Sequence, residues 1–183
     1  IGALKQIKKA ASFKAKLNIA NGIIMSKILY LLPLYGGCPE YLISAIQSKQ
    51  TEAMRHVTGK RWVVPGRQYV STAELLKECG WLSVRQLNFY TTVLTVHKTI
   101  INRIPELLYE KLTSGARYET RGASRHIVER SSVEEARLTV PAKSFRWRGH
   151  RQHSSIPDSL KNEQDMKVFK SGLKSWVRNN VSI

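Results

Sequence analysis

The sequence predicts a mainly α-helical protein, and three observations support this fold class. Apolar residues recur at intervals of three and four through most of the chain, which is the period of an α-helix. Proline or glycine follows several of these periodic runs and marks where a helix ends. Two capping patterns, Ser71 with Glu74 and Ser83 with Gln86, precede further runs. We therefore expect a multi-helix body over residues 1–115.

The charge of the chain indicates what it binds. Its 183 residues fit one domain, or one domain with an appended tail. Thirty Lys and Arg outnumber thirteen Asp and Glu, which gives a net charge of +17. Such an excess attracts polyanions, so nucleic acid is the leading class of partner. The alternative is a basic surface that only keeps the protein soluble.

The cysteines and apolar runs limit where the protein acts. Cys38 and Cys79 have neither metal-ligand nor disulfide spacing, which indicates packed thiols in a reduced intracellular setting. The longest apolar run, residues 28–35, is broken by Pro33 and is too short to cross a bilayer. We expect no secretory peptide, no membrane partner, and, because the chain begins at Ile1, a segment of a longer protein.

Residues 3–31 are predicted to form one long helix. Its apolar face contains Leu17, Ala20, Ile24, Ile28 and Leu31. Its first half is positively charged through Lys5, Lys8, Lys9, Lys14 and Lys16. No acid offsets these lysines, so we favour contact with phosphates over a merely solvated face.

A second helix is predicted between Pro39 and Gly59. Its apolar stripe consists of Leu42, Ala45, Ile46, Ala53, Met54 and Val57. The following loop, residues 60–70, interleaves basic and aromatic side chains, including Lys60, Arg61 and Arg67. That mixture suits contacts with bases and phosphates, and equally an ordinary loop that covers a core.

Residues 78–90 are predicted to form a helical corner at the centre of the fold. Gly80 lacks a Cβ and suits the left-handed cap that ends the preceding helix. Ser83 caps the next helix with Gln86, and Trp81 gains from burial between the two helices. The predicted structural core of this corner is Gly80, Trp81, Leu82, Ser83 and Leu87, with Leu82 and Leu87 as a hydrophobic staple.

The helix after this corner is predicted to run to about residue 102. Its inward face contains Val84, Leu87, Tyr90, Leu94 and Ile101. His97 lies on the same face and is expected to be a hydrogen-bonded core residue rather than a ligand. A short helix then follows from Pro105 through Leu112 and ends at Gly115.

Residues 116–153 are predicted to form an Arg-rich, partly irregular connector. Residues 137–140 have the composition of a short strand. In residues 144–150 aromatic residues and arginines alternate, so an extended chain would place Phe145 and Trp147 on one face and the arginines on the other. We expect the aromatic pair to dock this segment and the arginines to contact phosphates.

Residues 154–183 are predicted to contain a final helix that docks on the body, capped at Asn162 or nearby. Its packing stripe is Met166, Phe169, Leu173 and Trp176. Its other side carries Lys167, Lys170, Lys174 and Arg178.

The chain lacks the residues of a self-sufficient active site. Its only aspartates are Asp158 and Asp165, and it has no paired aspartates, phosphate-binding glycine loop or zinc motif. Asp158, Glu163 and Asp165 resemble the acidic first turn of the last helix. We predict no catalytic residue, no metal ligand and no cofactor. A nuclease that uses Asp158 or Asp165 is the enzymatic alternative.

Four runs, residues 21–38, 74–87, 144–148 and 169–176, resemble the C-terminal part of reverse transcriptases from non-LTR (LINE-type) retrotransposons. The more specific motifs are Cys79-Gly80-Trp81-Leu82-Ser83-Val84 and, downstream, Arg146-Trp147-Arg148. The resemblance implies thumb and post-thumb helices that hold template RNA and primer DNA, as an RNA/DNA hybrid, in the nucleus. It also implies upstream fingers and palm in the same polypeptide.

In that family the paired catalytic aspartates, and the Mg²⁺ they bind, belong to the palm, whose motif this sequence does not contain. The Cys/His knuckle of many relatives is also absent. The resemblance therefore implies a nucleic-acid-binding fragment without activity of its own. The alternative is a basic protein-interaction scaffold with no nucleic-acid role. The predicted nucleic-acid-binding residues are Lys5, Lys8, Lys9, Lys14, Lys16, Lys60, Arg61, Arg67, Arg121, Arg125, Arg146, Arg148 and Arg151.

Overall fold

The computed structural model describes residues 11–60, 70–113 and 144–182. Within these ranges the chain is mainly helical and contains no strand, which confirms the predicted fold class. The predicted strand at residues 137–140 and the cap at Gly115 lie outside them. In chain order the helices are α1 Phe13–Ala20, a π-helix Asn21–Met25, α2 Ser26–Leu29, α3 Leu32–Tyr35, α4 Glu40–Thr58, α5 Thr72–Cys79, α6 Val84–Asn102, α7 Glu106–Thr113, α8 Phe145–Ser155, α9 Asp158–Lys161 and α10 Met166–Asn180.

The chain divides into two compact units. The first unit comprises Ile1–Leu31, Pro39–Leu87 and Ser182–Ile183. The second unit comprises Leu32–Cys38 and Asn88–Val181. Helix α6 therefore begins in the first unit and continues into the second.

Of the predicted helix over residues 3–31, the described part is continuously helical from Phe13 to Leu29, and the prediction is wrong at residues 11–12 and 30–31. Ser12 is extended, with ψ 161°, and its side chain caps α1 by accepting a hydrogen bond from the backbone N–H of Ala15 at 3.3 Å. The helical geometry changes to a π-helix at Asn21. Leu31 adopts a positive φ of 55° and is 49% exposed, so it does not belong to the apolar face.

Helix α4 ends at Gly59, as predicted, and the φ of 74° places this glycine in the left-handed conformation. The predicted apolar stripe is wrong at its start, because Leu42 and Ala45 are exposed and Ile43 is buried. Ile43 lies three full turns before Met54, whereas Leu42 is rotated about 120° away from it.

The caps around the corner are confirmed. The hydroxyl of Ser71 accepts from the N–H of Glu74 at 3.2 Å, and the carboxylate of Glu74 accepts from the N–H of Ser71 at 3.3 Å. Gly80 has a φ of 68°, and the N–H of Trp81 donates to the carbonyl of Leu76 at 2.9 Å. The left-handed Gly80 and the bond from Trp81 to Leu76 are features of a Schellman motif at the end of α5.

The start of α6 is also capped as predicted. The N–H of Ser83 donates to the side-chain oxygen of Gln86 at 3.1 Å, and the N–H of Gln86 donates to the hydroxyl of Ser83 at 3.2 Å. Leu82, Ser83 and Leu87 are buried. Trp81 is half-buried and packs against the core of the first unit, which consists of Ala20, Met54, Val57, Leu75, Leu76 and Cys79.

In the second unit, His97 is a buried core residue, as predicted. Its Nε2 donates to the carbonyl oxygen of Glu163 at 3.0 Å. Its ring stacks on Phe169 with 3.6 Å between the ring centroids. The predicted inward position of Ile101 is wrong, because that side chain is 38% exposed. Helix α6 instead buries Val93 and Val96 here.

The end of the chain forms two helices, α9 and α10, after α8. Asp165, not Asn162, caps α10, and its carboxylate accepts from the N–H of Lys167 at 2.7 Å. The α10 residues Phe169, Leu173 and Val177 are buried. The packing stripe was therefore predicted correctly at Phe169 and Leu173, while Val177 was missed.

Residues 144–153 were predicted as part of an irregular connector, with an extended chain considered for residues 144–150, and this is wrong because Ser144 caps the helix α8 and the residues after it belong to that helix. The hydroxyl of Ser144 accepts from the N–H of Trp147 at 3.4 Å and starts the helix. Gly149 is buried, and a Cβ at this position would lie 2.8 Å from Cγ2 of Val96, so the two helices pack very closely. Side chains in a helix repeat every 3.6 residues instead of alternating as in an extended chain. Arg148, Gln152 and Ser155 therefore share one side of α8.

Candidate nucleic-acid interface

The last helix carries a stripe of positive charge. Lys167, Lys170, Lys174 and Arg178 are all exposed and lie at helical positions i, i+3, i+7 and i+11. At 1.5 Å per residue, the stripe extends about 16 Å along one side of α10. No Asp or Glu occurs in Met166–Asn180. We call this set the α10 stripe.

These four residues were not among the predicted nucleic-acid-binding residues. Their helical spacing indicates the stripe, because they lie about 100° around the helix from the buried Phe169, Leu173 and Val177. Burial of the apolar side necessarily turns the cations outward.

The predicted lysines of the first unit differ in their surroundings. Lys14 is exposed and Lys16 is half-buried, both on α1. Lys60 forms a salt bridge with Glu78 at 2.6 Å, and this hydrogen bond raises the pKa of the lysine. Lys60 is therefore already paired with a carboxylate, which makes it a weaker candidate for phosphate contact than Lys14.

The predicted arginines of α8 belong to the second unit and face different surroundings. Arg146 and Arg151 are exposed, whereas Arg148 is half-buried. The guanidinium of Arg148 donates a short hydrogen bond from Nη2 to the carbonyl oxygen of Pro33. Its Nε and Nη1 atoms are buried without a hydrogen-bond partner.

Arg148 and Arg151 line a cavity of about 590 Å³ in the second unit. The other lining residues are Gly36, Gly37, Cys38, Phe89, Trp147, Gln152 and Ser155. None of these residues is acidic, and the side-chain oxygen of Gln152 is also buried without a partner. We call this the α8 cavity.

The positive charge of Arg148 in the α8 cavity is destabilised by partial burial. Burial lowers the pKa of Arg148, and the neighbouring Cys38 partly offsets this effect. An arginine remains protonated in proteins, so the desolvation takes the form of a free-energy penalty rather than a lost proton. An anion in the cavity beside the guanidinium would relieve that penalty by compensating its charge.

One wall of the cavity is held in place by a close backbone approach. The side-chain amide of Asn88 donates to the carbonyl oxygen of Gly36 at 2.8 Å. A Cβ at Gly36 would lie 2.0 Å from Oδ1 of Asn88, so a larger residue here would displace this side chain and break its hydrogen bond. On another side, the ring of Phe89 packs on Trp176 with 5.5 Å between centroids.

The acidic residues near the C-terminus have structural partners. Asp158 forms a salt bridge with Lys161 at 2.9 Å, and the carboxylate of Glu163 accepts from the N–H of Asp165 at 2.9 Å. In the part of the chain that the structure describes, no group of three His, Cys, Asp or Glu could hold a metal ion. Nor is any helix in residues 11–60, 70–113 and 144–182 long and apolar enough to cross a membrane.

The remaining predicted binding residues lie outside the described residues: Lys5, Lys8, Lys9, Arg61, Arg67, Arg121 and Arg125. Of the predicted residues that are described, the structure brings Arg148 and Arg151 together in one cavity. Lys14, Lys16 and Lys60 belong to the other unit. Comparison with protein-family models, curated proteins and solved structures finds no match to this chain.

Proposed function

We propose that this chain is a nucleic-acid-binding module that holds template RNA and primer DNA through their backbone phosphates. The observation that carries the proposal is the α10 stripe, an exposed row of four cations on a helix without a carboxylate, in a chain of net charge +17. Together with the sequence resemblance, it favours the thumb and post-thumb part of a LINE-type reverse transcriptase.

The physical basis is the release of counterions from a polyanion. A duplex carries a charge about every 1.7 Å of its axis, so a stripe about 16 Å long lies alongside several phosphates. Contacts of this kind fix the position and register of a duplex without reading its sequence. We therefore expect binding that depends steeply on salt and tolerates any sequence.

The remaining parts of the proposal follow from the same role. The predicted cations at residues 5–16, 61, 67, 121 and 125 would add further phosphate contacts. The catalytic carboxylates and their Mg²⁺ would belong to an upstream palm of the same polypeptide, acting in the nucleus. On this proposal the chain alone does not incorporate nucleotides.

The test is a filter-binding titration with RNA/DNA hybrid, duplex DNA and single-stranded probes at several salt concentrations. The informative variant replaces Lys167, Lys170 and Lys174 with Gln. The matched control replaces Lys27, Lys49 and Lys77 with Gln, which removes the same charge from exposed positions in the first unit. Because each neutralised phosphate contributes about −0.9 to the log–log slope on B-DNA, the α10 triple variant should lower the slope by roughly 2 to 3.

For the control variant we expect the log–log salt slope to change by at most about one unit. A binding constant of the wild type that does not vary with salt would overturn the proposal. If the two triple variants changed the salt slope equally, the α10 stripe would not be the site of the phosphate contacts.

The second candidate is a protein-interaction scaffold, and one observation favours it. Several large apolar side chains of the first unit are exposed: Phe13, Ile23, Leu29, Tyr30, Leu31, Tyr41 and Leu42. Exposed apolar groups of this size are common at protein–protein contacts. Tight binding to an acidic protein, combined with no affinity for any nucleic-acid probe, would favour this function.

A further inference from the structure

We infer that the α8 cavity binds a single unpaired nucleotide, with its phosphate on Arg148 and Arg151 and its base against Trp147 and Phe89. The inference extends the proposed function from the phosphates of a duplex to one nucleotide, and it rests on different residues. Its ligand chemistry, an aromatic base joined to a phosphate, is shared by a nucleotide within a single strand and a free nucleotide.

The first step of the argument is the unbalanced charge of Arg148. Two of its nitrogens, Nε and Nη1, are buried without a partner, and no carboxylate lines the cavity. The hydrogen bond from its Nη2 to the carbonyl of Pro33 fixes the guanidinium in place. A guanidinium that is held in place and has no carboxylate partner leaves its positive charge uncompensated, which favours a phosphate in the cavity.

The second step is the combination of the cavity's other groups. Arg151 follows Arg148 by three residues on the same helix and also lines the cavity, so a second cation is available for the phosphate. Trp147 and Phe89 supply aromatic surface for stacking, as in proteins that hold single strands.

The third step is size and rigidity. A volume of about 590 Å³ is in the range of small-molecule sites. The hydrogen bond between Asn88 and Gly36 fixes one wall, and the packing of Phe89 on Trp176 fixes another. The site is therefore formed before the ligand arrives. A base-paired nucleotide cannot present its base to such a cavity, which restricts the ligand to an unpaired one.

The binding experiment uses the full chain and four probes: a blunt duplex, the same duplex with a single-stranded overhang, adenosine monophosphate and inorganic phosphate. The variants are Arg148→Gln, Arg151→Gln and Trp147→Leu. The control is Lys98→Gln, which removes an equal charge from an exposed position of the second unit that does not line the cavity. Arg151 is exposed, so its variant tests the inference even if Arg148→Gln fails to fold.

We expect the wild type to prefer the overhang or the mononucleotide, and each cavity variant to weaken that binding by about tenfold, as expected for loss of one charge-assisted bond or one stacked base. Binding of the blunt duplex should change less than threefold. Lys98→Gln should leave the preference for the overhang unchanged.

Cys38 gives an independent readout, because it lines the cavity. Adenosine monophosphate should slow alkylation of Cys38 by iodoacetamide, while inorganic phosphate at the same concentration should not. Equal protection by phosphate alone would overturn the inference, since the base would then have no role.

The outcomes separate this inference from the proposed function. Cavity variants that bind the overhang and mononucleotide as the wild type does would overturn the inference, while salt-dependent duplex binding would leave the proposed function standing. A protein that binds the mononucleotide but no strand would support the cavity as a free-nucleotide site and would contradict the proposed function.

Discussion

Gln50, in the middle of α4, donates a hydrogen bond from Nε2 to the backbone carbonyl of Leu82 at 2.8 Å, inside the core of the first unit. On the same helix, Gln47 accepts from the N–H of Val84 at 2.8 Å and donates to the side-chain oxygen of Gln50 at 2.9 Å. Two glutamines thus satisfy backbone groups of the corner that joins α5 to α6. This network positions the corner relative to α4.

Replacing Gln50 with Leu should destabilise the first unit by about 1 to 3 kcal/mol, because the buried carbonyl of Leu82 would lose its hydrogen-bond partner. Urea unfolding followed by circular dichroism measures the change. Gln164→Leu makes the same chemical substitution at an exposed position and should alter the unfolding free energy by less than about 0.5 kcal/mol. Equal effects of the two variants would show that the hydrogen bond is unimportant.

Gly36→Ala should destabilise the second unit by about 1 to 3 kcal/mol, because the new methyl group would collide with the side chain of Asn88. The matched control is Gly22→Ala, where a Cβ would have no heavy atom within 4 Å. Since Gly22 lies in a helical segment, alanine there should raise stability by roughly 0.5 to 1 kcal/mol. Thermal unfolding of both variants tests the opposite signs, and a stable Gly36→Ala protein would contradict the close approach.

The stability of the second unit should fall as the pH is lowered below about 6.5. Burial lowers the pKa of His97 from its ordinary value of 6.5, and the contact with Glu163 only partly offsets this. The unfolded state therefore binds the proton of His97 more readily than the folded state does. The stability that His97 contributes is present above pH 6.5 and is lost as the pH falls through the lower pKa of His97 in the folded state.

Denaturant unfolding at pH 5 and pH 7.5 measures this effect, and His97→Gln should reduce the difference between the two. His153 stacks on His97 with 5.9 Å between ring centroids, so His153→Gln serves as the second variant. If His97→Gln retained the full pH dependence, the buried His97 would not be its source.

Cys79 should react with thiol reagents far more slowly than Cys38. Burial raises the pKa of Cys79 from 9.0 to about 11, with Glu78 acting in the same direction and Lys60 against it. The shift lowers its thiolate fraction at pH 8 by about a hundredfold. Mass spectrometry after iodoacetamide treatment should find Cys38 modified first and Cys79 modified only in urea.

The same shift makes a prediction for alkaline pH. The folded state holds the thiol proton above pH 9, where the unfolded state releases it, so stability is present below pH 9 and is lost as the pH rises towards about 11. Cys79→Ala should show a shallower loss over this interval. Identical slopes for the variant and the wild type would contradict the assignment.

The caps were predictable from sequence because each depends on residues that are close along the chain. Ser71 and Glu74, or Ser83 and Gln86, need only three residues of context to form their reciprocal bonds. The left-handed positions of Gly59 and Gly80 are equally local, since they follow from the missing Cβ. The arginines of residues 144–150 were misread because alternating residue types also fit an extended chain, and Ser144 was not recognised as the cap that starts α8.

Composition and neighbours along the chain are enough to predict a mainly helical protein, the places where α4, α5 and α6 end or begin, and a large excess of positive charge. The folded structure is needed to show that Gln50 bonds the corner, that His97 stacks on Phe169, and that Arg148 shares a cavity with Gly36 and Phe89. Those pairs are separated by many residues, and their contact depends on how helices pack, which no local pattern encodes.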